Sequence, residues 1–481
     1  MPAIRPGWPP PARQHWLAAI LLVAGLALRV AAMLAYRPAI FYIDTPRYLL
    51  NAVPGMDPDG YGAVLKAVLA VGNLDLVVVL QHLIGLAIAV ALYVLLLRRG
   101  VWRWLAALAI APVLLDAYQV QIEQTLMPDL WFEALIVAGL SILAWRPGTG
   151  WRRVLAAGLV LGTSATIAQV GEALLFPAAI FVLAAARPWR RAIGQAVTLC
   201  VAFAVPILAY STGSALTGGG FFLSHAGATS LYGRTAAAAD CRTLRLPPAE
   251  RPMCPSPAQQ AHGPDWLEYN NQSPLRAYYP GGRPTPRTDG EITDFTHQVL
   301  TQQPLRLLGA YLSDVVKVFA PARGQSGNVT PLSRWQFQLR YPYFPPWTSR
   351  AVVDGAIARF GGGRPAVWHP AAAFLRSYQL DGGYTPGPLL GLCVLAGLGG
   401  SALAMRRRAA AGARLPAQAC LLFFGSGVFV LAVSDVFEFS WRYQLPALVT
   451  LVPGGALGIA AIAAARRANQ SARAAAPAHQ D

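Results

Sequence analysis

Apolar residues run in ten blocks, the third, fifth and sixth of them short, separated by polar stretches. The blocks are His15–Tyr36, Leu76–Leu97, Leu105–Tyr118, Leu126–Trp145, Val154–Gln169, Ala173–Ala186, Ala192–Ser211, Pro386–Met405, Ala417–Val433 and Gln444–Ala465. About 20 apolar residues suffice to cross a bilayer as a helix. The pattern therefore predicts a mainly α, polytopic membrane bundle of about ten transmembrane helices. The first block is longer than a signal-peptide core, so a retained helix is expected there.

The polar stretches differ in kind. Two of them are long and hold most of the acids, aromatics and prolines: a first loop at 37–75 and a segment at 212–385. The second is too long for a bare connection, so a small folded unit of mixed structure is expected. Within it, Asp294–Ala320 reads as a helix pair broken near Pro304. Trp335–Trp347 reads as an extended Pro/aromatic run, and Ala371–Leu380 as an amphipathic helix lying on the membrane. The expected organisation is a tail at 1–14, a helical core at 15–211, the large segment at 212–385, C-terminal helices at 386–465 and a tail at 466–481.

Composition agrees. The 481 residues are 55% hydrophobic and 13% charged, against about 25% charged in ordinary soluble domains. The formal net charge is +17, which in another chain would point to nucleic acid. Here the arginines cluster after every second block: Arg98, Arg99 and Arg103; Arg146, Arg152 and Arg153; Arg187, Arg190 and Arg191; Arg406, Arg407, Arg408 and Arg414; Arg466, Arg467 and Arg473. That alternation is the positive-inside pattern. It places both termini inside a cytoplasmic membrane and the two long stretches outside, and it argues against a nucleic-acid partner.

Cys200, Cys393 and Cys420 fall in apolar blocks, where a thiol behaves as a small hydrophobe. Cys241 and Cys254 share the outside segment, so a disulfide or two structural thiols are the alternatives. No CxxC pair or HExxH motif occurs, and His225, His262, His297 and His369 lack ligand spacing. No cofactor is evident, and the sequence leaves a divalent metal open.

Acids at a membrane surface are costly without a partner or a task, so the acids at outer helix ends carry the chemistry. The first loop opens Phe41-Tyr42-Ile43-Asp44-Thr45-Pro46-Arg47-Tyr48. A Thr45 hydroxyl cap followed by Pro46 would start a helix, leaving Asp44 as either a helix-start charge or a catalytic carboxylate. Glu123 and Asp129 lie in a second outer turn, and Asp129 and Glu133 are i and i+4 on one helix face. Glu133 is expected to pair with a cation, Arg29 or Arg442. A third outer turn carries Trp441-Arg442-Tyr443, with Arg442 either a phosphate fork or an interfacial anchor.

These residues in this order resemble the GT-C type membrane glycosyltransferases. The match runs from Arg29 through Ile43-Asp44-Thr45-Pro46-Arg47-Tyr48, Asp59-Gly60-Tyr61 and Gln81-His82 to Arg442-Tyr443-Gln444-Leu445-Pro446. It resembles most the protein mannosyltransferase and aminoarabinose transferase relatives, which use polyprenyl-phosphate sugars. The long outside segment is similar to that of actinobacterial proteins of this kind. The chain differs from the family at Thr45, where many members carry a second acid, and at Gln169–Glu172, where an Arg is frequent.

The resemblance implies an inverting sugar transfer from a polyprenyl-phosphate donor to an extracytoplasmic acceptor: a cell-envelope polysaccharide, a lipid or a protein. It implies Asp44 as base, Glu123 or Asp129 positioning acceptor or sugar, and Arg442 on the leaving phosphate, with Arg47 and Tyr443 beside it. Tyr48, Tyr61 and Trp441 serve either sugar stacking or packing. A lipid or glycan transporter, or a non-catalytic envelope scaffold on the same fold, is the alternative.

Overall fold

The computed structural model describes residues 14–52, 55–224, 227–278, 286–325, 329–406 and 411–474. Residues 1–13, His225, Arg407, Arg408 and the tail beyond 474 lie outside the described residues. The protein is a mainly α, polytopic membrane protein.

All ten apolar blocks fold as helices, but not all are full spans. Six are long and apolar enough to cross a membrane: Trp16–Ala35, Leu74–Arg98, Trp189–Leu216, Gly387–Met405, Gly412–Phe437 and Trp441–Ala472. A seventh arises if Arg103–Leu115 and Ala117–Gln124, bent by 49°, count as one. The helices Asp129–Ala144, Trp151–Ile167 and Leu175–Ala185 have 16, 17 and 11 residues. Of these ten helical segments, six, or seven with the bent pair, reach spanning length by length and composition among the described residues. The short ones pack one face into the bundle core through Leu130, Ile136, Leu140, Leu161, Ala178 and Val182, while Leu155, Leu159, Phe176, Ile180 and Leu183 leave an apolar face exposed.

The bend in the third block has a local cause. Asp116 caps the second helix by accepting from the Tyr118 amide at 2.9 Å, while the Thr385 amide donates to its other oxygen at 2.7 Å. A capping carboxylate ends one helix and starts the next. The second outer turn is thus not a turn throughout but a buried helix, Ala117–Gln124.

The arginines Arg98, Arg99, Arg153, Arg191 and Arg467 gather at one end of the bundle. Arg99 donates to the Arg146 carbonyl at 2.9 Å, Arg191 to the Thr149 carbonyl at 3.0 Å, and Arg467 lies over the Trp102 ring at 5.7 Å.

The segment at 212–385 is mainly helical, with irregular stretches and 3-10 turns between the helices. Among its described residues one strand, Ala366–Val367, pairs antiparallel with Tyr36–Arg37. Part of the segment has a core of its own, in which Tyr232, Met253, Leu267, Ile292, Phe295 and Val299 pack together. Cys241 and Cys254 are bonded there, with Cα atoms 6.0 Å apart. Closing a loop of that length restricts the unfolded chain by about 3 kcal/mol. The helix pair is Pro286–Gln302 and Pro304–Lys317, broken at Gln303. The second member exposes Leu305, Leu308, Leu312 and Val316 along one face. It is tied to the bundle by the Tyr311 hydroxyl, which donates to the Ala432 carbonyl at 3.0 Å. The helix is thus amphipathic, with an apolar face left uncovered.

Candidate functional site

The first loop is shaped by Thr45 in an unexpected way. Its hydroxyl accepts from the Tyr42 amide at 2.8 Å and donates to the Leu126 carbonyl at 3.1 Å. It therefore ties the loop to the second outer turn instead of capping a helix. The short helix Thr45–Leu50 starts after Asp44, whose carboxylate makes no capping hydrogen bond. The next helix, Gly60–Leu69, begins hard against the bundle. A Cβ at Gly60 would stand 2.3 Å from the Thr166 carbonyl oxygen, so only glycine fits that approach.

Asp44 is left free for charge pairing. Its Oδ1 lies 3.3 Å from Arg47 Nη1, and its Oδ2 lies 3.7 Å from Arg442 Nη1. Arg47 also donates to Asp57 at 2.9 Å. Arg442 Nε is 3.0 Å from Asp129 Oδ1. The result is an alternating chain, Asp57–Arg47–Asp44–Arg442–Asp129, drawn from three segments distant in sequence. Each guanidinium is shared by two carboxylates, which holds the donors in a fixed array. The rings of Trp335 and Tyr443 lie 5.3 and 5.2 Å from the Arg442 guanidinium and restrain it further.

This chain borders a cavity of about 210 Å³ between the outer helix ends and the outer segment. Asp57, Asp129, Arg442, Tyr443, Glu438 and Tyr48 line it from the bundle and first loop, and Glu268 and Tyr269 from the segment at 212–385. Apolar side chains of the bundle, Phe132, Ile167 and Phe437, complete the wall. Asp129 lines the cavity, whereas Asp44 does not, although its side chain is 19% exposed. The structure thus brings together Asp44, Arg47, Tyr48, Asp129, Arg442 and Tyr443.

Three expected residues are elsewhere. Glu123 is fully buried and accepts from Arg29 Nη2 at 2.6 Å, with His82 Nδ1 at 3.0 Å. It is an internal counter-charge and does not meet the cavity, because the helix Ala117–Gln124 turns it into the bundle. Arg29 is thereby taken, and Glu133 receives the Gln119 amide at 2.8 Å instead of a cation. Tyr61 is buried and donates to Gln81 at 2.9 Å, so it packs. Trp441 is buried too, its indole donating to the Gly324 carbonyl at 3.0 Å.

Asp57, Glu268, Tyr269 and Glu438 were not singled out by sequence. Glu438 sits in the third outer turn beside Arg442, and that position was the one available signal. Glu268 and Tyr269 belong to the helix Gly263–Tyr269 of the outer segment, where no spacing pointed to the bundle. Among the described residues no three His, Cys, Asp or Glu side chains converge to hold a metal ion.

Burial raises both outer glutamates. Glu268 is pushed up to about 7. Glu438 is pushed up to about 8, by burial first and then by repulsion from Asp265 and Glu268. An unfolded glutamate titrates near 4.3. Between that value and about 8 the folded chain therefore holds more protons than the unfolded one. Stability is full below that window and falls as pH rises through it. Limited proteolysis at rising pH, from about 6 to about 9, is expected to show loosening of the outer segment. Glu438→Gln is expected to flatten that dependence. An unchanged slope in the variant would assign the effect to other groups.

No protein-family model matches the chain, nor does any curated protein. Three solved structures show partial similarity. One is the S. cerevisiae protein O-mannosyltransferase Pmt1-Pmt2 complex bound to the sugar donor, at 15% identity over 45% of this chain and 35% of that one, TM-score 0.33. A second is the archaeal oligosaccharyltransferase AglB from Archaeoglobus fulgidus in complex with an inhibitory peptide and a dolichol-phosphate, at 13% identity over 98% and 53%, TM-score 0.43. A third is ArnT from Cupriavidus metallidurans in the apo state, at 13% identity over 96% and 80%, TM-score 0.32. The chain spans about a third of the first and about half of the second.

Proposed function

We propose that the protein is a membrane glycosyltransferase of the GT-C type. It moves a sugar from a polyprenyl-phosphate donor to a hydroxyl-bearing acceptor on the extracytoplasmic face of the cytoplasmic membrane. The observation that supports this reading is the Arg442–Asp129 pair in the wall of a cavity at the bundle's acid-rich end. The cavity meets apolar helix ends on one side and a polar outer segment on the other. A lipid-linked, anionic donor needs both surroundings.

In this reading the acceptor oxygen attacks the anomeric carbon as its proton passes to Asp129. The carbon–oxygen bond to phosphate breaks, and the departing polyprenyl phosphate takes its bonding pair to Arg442. Developing charge is met by a preorganised guanidinium, which is where such donors act most. Inversion, with attack opposite the departing phosphate as in inverting glycosidases, needs the sugar ring between Asp129 and that phosphate, so the donor must part Asp129 from Arg442, which stand 3.0 Å apart without it. Asp44 moves from the base expected by sequence to a positioning residue that holds Arg442 and Arg47. Tyr48 and Tyr443 shape the sugar pocket.

The test compares Asp129→Asn with Asp44→Asn in reconstituted liposomes supplied with a panel of polyprenyl-phosphate sugars. Loss of a base is expected to cost about 10²–10⁴ in rate and to abolish the acidic limb of the pH–rate profile. Asp129→Asn should show both effects, whereas Asp44→Asn should slow turnover and keep the limb. The reverse assignment would restore Asp44 as base. Absence of consumption of every donor by the wild type would favour the transporter or scaffold reading.

A further inference from the structure

A second cavity, of about 260 Å³, adjoins the first. Except for Glu438, which lines both cavities, its wall comes wholly from the outer segment. Its chemistry differs from that of the first. Asp265 and Arg334 face each other at 3.4 Å. The indole of Trp266 is stacked on His262 with ring centroids 4.7 Å apart. Thr330 is only 4% exposed, yet its hydroxyl has no partner among the described residues. The Tyr443 hydroxyl fixes Glu438 from the side of the first cavity, donating at 3.2 Å.

We infer that this second cavity is the subsite for the acceptor and that the acceptor is itself a sugar. The inference rests on the transferase reading and names the acceptor class that the reading leaves open. A carboxylate and a guanidinium held side by side offer acceptors and donors to neighbouring hydroxyls. The stacked Trp266–His262 pair gives the wall an aromatic surface against which a sugar ring's C–H groups can pack. At about 260 Å³ the cavity falls just short of the roughly 300 Å³ at which pockets for drug-sized ligands begin, and so suits a single sugar ring. A lipid acceptor would need a continuous apolar lining running into the bundle, and this wall has none among the described residues. Glu438 forms the partition over which one acceptor hydroxyl reaches the donor sugar in the first cavity.

The experiment uses the full chain in liposomes with methyl glycosides of mannose, galactose and arabinose as probes. A serine/threonine hexapeptide and a diacylglycerol serve as competing acceptors. Donor hydrolysis by water is followed alongside transfer. The expected result is transfer to at least one methyl glycoside. Trp266→Ala should raise its KM about tenfold or more, with kcat and donor hydrolysis nearly unchanged. Trp266→Phe, which keeps a ring, should recover most of the loss. Saturation-transfer NMR from the protein to the same glycoside, without donor, should vanish in Trp266→Ala and return in Trp266→Phe. Transfer only to peptide or only to lipid would overturn the inference, as would an unchanged KM in Trp266→Ala. Donor consumption by no route, with saturation transfer intact, would sink the transferase reading and leave a sugar-binding site. Loss of both would sink the two together.

Discussion

Arg442→Ala is expected to lower donor consumption about a thousandfold, the scale seen when a preorganised donor to a developing anion is removed. The reason lies in what surrounds it. Arg442 sits 3.0 Å from Asp129 and 3.7 Å from Asp44. Without it, two carboxylates face one another across the place where an anionic phosphate must leave. The loss is therefore double, of an attractive charge and of the neutralisation of two repulsive ones. Arg442→Lys keeps the charge but loses the planar fork, and should fall between wild type and alanine. The measurement is single-turnover donor consumption in liposomes, with circular dichroism to verify folding. A rate for Arg442→Ala within about tenfold of wild type would remove Arg442 from the leaving-group role.

The largest expected effect on stability belongs to Glu123, not to any cavity residue. Arg29 is fully buried. Its guanidinium donates to the carbonyls of Gly25, Leu114 and Val113 at 3.0–3.1 Å, and its net charge is met by Glu123 at 2.6 Å. Glu123→Ala strands that charge inside a bundle of helices, which should destabilise the protein by about 3–5 kcal/mol. The double variant Arg29→Leu/Glu123→Leu removes both charges together and should recover much of the loss. Thermal unfolding in detergent checks both. A double variant as unstable as Glu123→Ala would mean that the carbonyls held by Arg29 matter more than its charge.

The two effects also separate the roles of acids that look alike in the sequence. Glu123 and Asp129 share one short polar stretch, and both were candidates for the same task. Asp116 caps a helix at the start of that stretch, and the helix it begins rotates Glu123 toward Arg29. The stretch from Thr125 to Pro128 then carries the chain back out, so that Asp129 begins the next helix at the cavity. A helix eight residues long decides which acid is structural and which meets the cavity.

The sequence by itself determined the membrane class, the ten helical segments and the break near Pro304. These follow from hydrophobic run length and from proline, which act locally and leave the same mark wherever the chain goes. It also picked out Asp44, Arg47, Asp129 and Arg442, because a charge at the end of an apolar helix is costly enough to stand out. Tertiary structure alone decided how those charges pair, since Asp57, Asp44, Asp129 and Arg442 come from three distant segments and meet only when the bundle closes. It alone brought Glu268 and Tyr269 across from the outer segment to the same cavity, and set Trp266 and Arg334 around the second. Those residues lie in amphipathic, polar stretches where a charge costs little and so leaves no trace in the pattern. Packing gave them their partners, and packing between segments far apart in the chain has no period to read.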